Sequence, residues 1–175
     1  MRNHLRRFRK SQDGGTLTLE FMILTPMLIY AFFFGIELSV YSIRQMQLDR
    51  GLEITTREVR LNTGMQFSHD DLKRAICINA GGITDCDDNL VLEMAPVNLR
   101  EFTGLPEMTQ CYDQSAPVNP QRGWSLGKQH EVMLLRACYK FKPGFAFAGL
   151  GKKLLKDGDG NAMMASMSTF VQEPR

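Results

Sequence analysis

Most signatures of catalysis are missing from the 175 residues. His130-Glu131 is not followed by a second histidine four residues after the first, G-x-S-x-G does not occur, and no carboxylate pair stands out. Neither a zinc-protease helix nor a nucleophile elbow is therefore written in the chain. Gly149-Leu150-Gly151-Lys152-Lys153 lacks the G-x4-G-K-[ST] frame of a phosphate loop. The cysteines include no C-x2-C, and His69 and His130 do not stand at zinc-site distances from them. Asp157-Gly158-Asp159-Gly160-Asn161 carries calcium-like oxygens but not the longer EF-hand register with a glutamate at its twelfth position, so it reads as a turn before the last strand. The expectation is a protein that is not an enzyme and uses no metal or cofactor.

A basic face is missing as well. Residues 1–15 hold five Lys/Arg (Arg2, Arg6, Arg7, Arg9, Lys10) against Asp13, a charge of +4, while the remainder holds 16 basic and 18 acidic side chains, a charge of −2. The positive charge is thus a terminal tag on a mildly acidic body. Nucleic-acid binding, which needs clustered cations to displace counterions from phosphates, is not expected. With 43% apolar and 23% charged residues, 15 Gly, 7 Pro and 4 Cys, the chain is also neither disordered, collagenous nor a disulfide-dense mini-protein.

What is present begins at Thr16. Through Ile43 the sequence TLTLEFMILTPMLIYAFFFGIELSVYSI contains only two charges, Glu20 and Glu37. As a helix it would be about 42 Å long at about 1.5 Å per residue, enough to cross a hydrocarbon core of about 30 Å. The preceding cationic run keeps its own end in the cytoplasm by the positive-inside rule and places the C-terminal body outside. All four cysteines, Cys77, Cys86, Cys111 and Cys138, lie in that body. An even number in an oxidising compartment suggests two disulfides. Three connectivities are open; Cys77–Cys86 with Cys111–Cys138 is favoured, because the first closes a short loop holding Gly81 and Gly82 and the second could staple a long loop to a strand.

The order of the N-terminal parts is unlike that of an ordinary secretory signal, in which a small-residue cleavage site follows the apolar region. Here Gly14-Gly15 precedes the apolar run, directly after RRFRKSQD, and Glu20 lies inside it. The stretch R-R-F-R-K-S-Q-D-G-G-T-L-T-L-E-F, followed by an apolar helix with Pro26, resembles the class III leader of type IV pilins and pseudopilins. Within that group G-x-x-x-x-E-F and TLTLEFMILTPMLI are most similar to TadE-like minor pseudopilins of the tight-adherence (Flp) pilus system. The resemblance is specific over residues 6–45 and looser beyond, where the ending ASMSTFVQEPR is similar to the family's closing strand and terminal Glu-Pro.

The resemblance implies cleavage between Gly15 and Thr16 by a prepilin peptidase at the inner membrane. It implies partners among other pilin-like subunits and the pilus assembly platform, with the chain held in the bacterial inner membrane or incorporated in the pilus. More than 110 residues after the span, against a very short major pilin, imply an assembly subunit and not the bulk filament protein.

The residues give their own reasons. A carboxylate within a membrane helix costs on the order of 2.5–3.5 kcal/mol on insertion scales, so Glu20 needs a partner or an interface. The new Thr16 ammonium of a neighbouring subunit would be such a partner, making Glu20-Phe21 the register mark of packed helices. Snorkelling of Glu20 to the cytoplasmic headgroups is the plainer alternative. Gly15 gives a protease close access to the backbone. Pro26 cannot donate an N–H and is expected to kink or locally open the helix near Phe21–Met22. Glu37 is explained by a headgroup position. An uncleaved single-pass inner-membrane protein with a periplasmic binding or scaffold domain is the alternative to the pseudopilin reading.

Four regions follow: a leader (1–15), a transmembrane part (16–43), an extramembrane continuation of the same helix (44–62) and a periplasmic α+β domain (63–175). Within the continuation, Ile43, Met46, Leu48, Leu52, Ile54, Val59 and Leu61 fit a helical stripe only in part, and Gly51 argues against a straight rod. Asn62-Thr63-Gly64 should end it. Ser68 should cap a shorter helix with Asp70-Asp71 in its first turn, running to about Ile78. Strands are expected at 90–97, 131–141 and 165–171, with a long loop over 116–127.

Overall fold

The computed structural model of the chain describes residues 13–62, 65, 67–98, 124–125, 127–144, 149–154, 156 and 158–173. Helix α1 (Asp13–Leu61) is followed by α2 (His69–Ala80), the short α3 (Cys86–Asn89), strands β1 (Leu90–Pro96) and β2 (Val132–Phe141), the short α4 (Gly149–Lys153) and strand β3 (Ala162–Val171). The strands form one antiparallel sheet in the order β1-β2-β3. A long apolar N-terminal helix on a small antiparallel sheet is an α+β architecture.

Helix α1 is a single element of 49 residues, with Gly14, Gly15 and Pro26 all inside it. Its two halves differ in what surrounds them. In the second half, Leu48, Leu52, Thr55 and Val59 are buried, spaced at three or four residues on one face. Ile43, Met46 and Leu61 are exposed, which is why the apolar positions read along the sequence fit a stripe only in part. The stripe packs on α2 through Leu72, Ile76 and Ala80, and on the sheet through Leu135, Ala137, Tyr139 and Met164.

Gly51 explains the close approach of α1 and α2. A Cβ there would lie 2.7 Å from the Ile76 carbonyl oxygen and 2.8 Å from the Ala80 Cβ, so only a residue without a side chain lets the helices cross at this distance.

Ser68 caps α2 as expected. Its hydroxyl accepts from the Asp71 N–H at 3.2 Å and donates to the Asp71 carboxylate at 2.6 Å, while the Ser68 N–H reaches the same carboxylate at 3.4 Å, a reciprocal capping box. The Ser68 hydroxyl, then the Ser68 N–H and then Arg74 hold the Asp71 carboxyl below its usual range. The helix runs to Ala80, two residues past Ile78, because Ile76 and Ala80 are both buried against α1.

Three further details of the chain departed from what local pattern predicted. β3 begins at Ala162, not 165, since Ala162, Met163 and Met164 pair with Phe141, Lys140 and Tyr139 of β2; partner availability extends the strand beyond its β-branched portion. Trp124, in the stretch read as loop, bridges Met94, and the Ser125 N–H donates to the Met94 carbonyl at 3.0 Å. The short helices α3 and α4 carry too few residues for periodicity to reveal them. The capping residue Gly64, Cys111 and most of the 116–127 stretch lie outside the described residues.

Candidate functional site

Between residues 18 and 36 no side chain of α1 is buried. Phe21, Met22, Ile23 and Leu24 follow one another and are 69, 74, 63 and 55% exposed. Successive residues turn by about 100°, so four in a row cover the whole circumference. Exposed apolar side chains continue through Met27, Ile29, Phe32 and Ile36 to Val40. This is one helix long and apolar enough to cross a membrane, close to the N-terminus, and none of its apolar window is buried in the chain's own fold. A helix apolar on all sides needs lipid or other helices around it.

Glu20 is exposed in this half and makes no hydrogen bond or ion pair among the described residues. It stands one turn past Thr16, beside Phe21, on a surface the domain does not reach. Gly15 and Thr16 occupy the first turns of α1. Pro26 lies inside the helix, which continues on both sides of it, and lines an apolar groove of about 250 Å³ with Ile29, Tyr30, Phe33, Glu37 and Gly149. The fold therefore leaves Gly15, Thr16, Glu20 and Phe21 in linear order along the helix and brings Pro26 and Glu37 to one groove.

Comparison with protein-family models, curated proteins and solved structures gives no match.

A residue to which the sequence gives only a headgroup position joins the apolar helix to the domain. Glu37, read as a headgroup-level charge, is half-buried and accepts from two main-chain amides: the Leu150 N–H at 3.1 Å and the Gly151 N–H at 3.2 Å. These are donors of the first turn of α4, which have no partners within their own helix. Gly149 is required beside them, with φ +60° and a position where a Cβ would meet the Glu37 carboxylate at 2.7 Å. The one local signal was a carboxylate in a run whose only other charge is Glu20; nothing in the spacing pointed more than a hundred residues downstream.

Around this contact the junction is filled by aromatic stacking. Tyr41 lies 5.8 Å from Phe141, Phe141 stacks on Tyr139 at 6.4 Å, and the Arg44 guanidinium lies 5.4 Å from the Phe141 ring centre.

Cys77 and Cys86 form a disulfide, tying the last turns of α2 to α3. Cys138, on β2, is disulfide-bonded as well. His69 packs edge-on against Trp124 at 5.1 Å, and His130 occupies a turn with φ +64°. Residues 158–160 form a turn before β3. No group of three or more metal-binding side chains occurs among the described residues.

Proposed function

We propose that the chain is a TadE-like minor pseudopilin acting in biogenesis of an Flp-type adhesive pilus. One observation carries the reading: an unbroken helix, preceded in the sequence by RRFRKSQ, exposes apolar side chains on every side over its first half and forms one wall of a small α+β domain with its second. The first half supplies a surface that packs equally well in lipid and against neighbouring helices. The second holds the domain rigidly on that axis.

In this reading the N-terminus is cytoplasmic, a prepilin peptidase cuts after Gly15, and the Thr16 ammonium of one subunit pairs with Glu20 of the next. That pair offsets the desolvation of both charges and fixes the axial stagger. The domain faces the periplasm and selects neighbours in the assembly.

The test is the N-terminus of the membrane-extracted protein, determined by intact mass and terminal sequencing with and without the host's prepilin peptidase. A start at Thr16 that depends on the peptidase is expected. An intact Met1 in both strains would overturn the proposal in favour of an uncleaved anchored protein. Glu20→Ala should impair assembly and leave insertion intact; normal assembly of this variant would remove the role given to Glu20.

A further inference from the structure

Strand β3 is an edge of the sheet and pairs as a strand only with β2. Its ten residues, AMMASMSTFV, include neither a charge nor a proline, the devices that blunt a strand edge. The direction of its main-chain groups follows from its contacts. Gln172, just past its end, donates to the Glu131 carbonyl and accepts from the His130 N–H, so residues of even number turn their main chain toward β2. The Ala165 carbonyl accepts instead from the Gln45 side chain of α1, so residues of odd number turn theirs to the free edge. Lys156 meets that edge in an isolated bridge at Ala162. Beyond Ala165 the N–H and C=O groups of Met167 and Thr169 make no hydrogen bond among the described residues. The side chains of Ala165, Met167, Thr169 and Val171 share one face of the sheet and are all exposed, Met167 by 61%.

Helix α1 runs alongside this edge. Gln45 reaches Ala165 near one end of β3, and Arg60 pairs with Glu173 past the other. Gln45 also donates to the Asp49 carboxylate at 3.0 Å, which places Asp49 beside the edge. At about 100° per residue, Glu53 lies about 40° round the helix from Asp49 and about 20° from Arg60, on the same side. Neither Asp49 nor Glu53 has an ion-pair partner among the described residues, whereas Arg60 is engaged by Glu173. Arg57 lies about 40° beyond Glu53, turned farther from the strand. Between its two pinned ends the edge is therefore bordered by a row of exposed uncharged side chains on one face and by two unpaired carboxylates on the other.

We propose that the free edge of β3 takes an extended segment of a different polypeptide as a fourth strand, apolar on the side of Met167 and Val171 and basic on the side of α1. The open N–H and C=O groups of Met167 and Thr169 are matched by another extended main chain. Two residues along a strand rise about 6.6 Å and four along a helix about 6 Å, so basic side chains at alternate positions reach Asp49 and Glu53 together. A second copy of this chain fits poorly. Antiparallel pairing of β3 with β3 would point the two apolar helices in opposite directions, which one membrane forbids; this exclusion rests on the membrane-spanning reading of α1. Paired parallel, two identical strands sit one residue out of step, which no two-fold axis allows. The other edge of the sheet is not open along its length either, since Trp124 and Ser125 meet β1 at Met94.

The experiment adds the synthetic peptide acetyl-Thr-Val-Lys-Val-Lys-Val-Thr-amide, whose pattern is the same in either direction, to the full-length protein in zwitterionic detergent micelles. Hydrogen exchange is followed by residue-level mass spectrometry. Saturating peptide should slow exchange at Met167 and Thr169 about tenfold and leave Leu72 and Ile76 of α2 unchanged. A fully N-methylated peptide, which cannot donate to the edge, should give no protection. Absence of protection by the first peptide, or equal protection by the second, would overturn strand addition. Equal affinity for a peptide with glutamate in place of lysine would overturn the basic partner. Asp49→Asn combined with Glu53→Gln should weaken binding of the lysine peptide about tenfold, and an unchanged Kd would overturn the role of the carboxylates. Thr169→Pro removes one edge N–H without touching the ladder to β2 and should abolish protection at Met167, with retained protection of β2 amides showing that the domain is folded. Protection of Met167 that survives this change would overturn the proposal. A dimer in micelles that Thr169→Pro makes monomeric would reassign the edge to a second copy, while leaving the pseudopilin reading to its own test at the N-terminus.

Discussion

Replacing Glu37 with alanine should release α4 from α1 while leaving the rest of the domain folded. The carboxylate accepts from the Leu150 and Gly151 amides at 3.1 and 3.2 Å, and neither amide has an acceptor within its own helix. Hydrogen bonds to a charged group contribute about 1.5–3 kcal/mol each, and a half-buried pair of ordinary length belongs at the lower end. Losing both removes about 3 kcal/mol from the local closed state, a factor of about 100 in its opening equilibrium. Hydrogen exchange at Leu150 and Gly151 reads this directly, in full-length protein in detergent micelles with residue-level mass spectrometry. Exchange there should accelerate about 100-fold in Glu37→Ala, and about tenfold in Glu37→Gln, which keeps one acceptor oxygen. Amides of β2 should keep their protection, because the core under Leu135 and Tyr139 is untouched. Unchanged exchange at Leu150 and Gly151 would refute the view that Glu37 joins helix and domain.

Gly51→Ala should destabilise the domain by about 1 kcal/mol, since overpacking at a helix crossing costs about 1–3 kcal/mol and the helix-propensity gain returns only about 1. A fall of about 3 °C in Tm is expected, and an unchanged or higher Tm would show that α2 can move aside. Replacing Cys77 and Cys86 together by serine opens a loop of sequence separation 9 and should lower stability by about 2.5 kcal/mol in denaturant unfolding, by the chain-entropy estimate. The depressed Asp71 carboxyl gives stability that is complete above the ordinary unfolded pKa of about 3.9 and is lost as pH falls through the lower folded value. Acid unfolding should therefore lose part of its pH dependence below about pH 4 in Asp71→Asn, with Ser68→Ala showing a smaller change in the same direction.

Some parts of this molecule are properties of short stretches, and these were readable in order along the chain. An apolar run with two carboxylates, an N-cap at Ser68 and strand-like segments at β1 and β2 each follow from covalent neighbours within one element. The pair Cys77–Cys86 was favoured for a similar reason, a short loop with two glycines. Other parts depend on residues distant in sequence. Gly51 looked like a weakness in a helix until Ile76 and Ala80 were found against it. Trp124 lies in a stretch without regular pattern, yet it makes an isolated bridge to Met94 at the edge of β1.

The sequence by itself determined that one long helix begins apolar on all sides and continues past the apolar run with mixed polarity, because the balance of lipid-like and water-like side chains along a helix is a property of its own residues. Only the tertiary structure decided where that helix stops being free. Glu37 meets Leu150 and Gly151 only because β2 brings the chain back beside Tyr41 and α4 turns its unpaired amides toward the helix. A carboxylate's partner is chosen by which donors the fold leaves unsatisfied nearby, and no spacing along the chain encodes that.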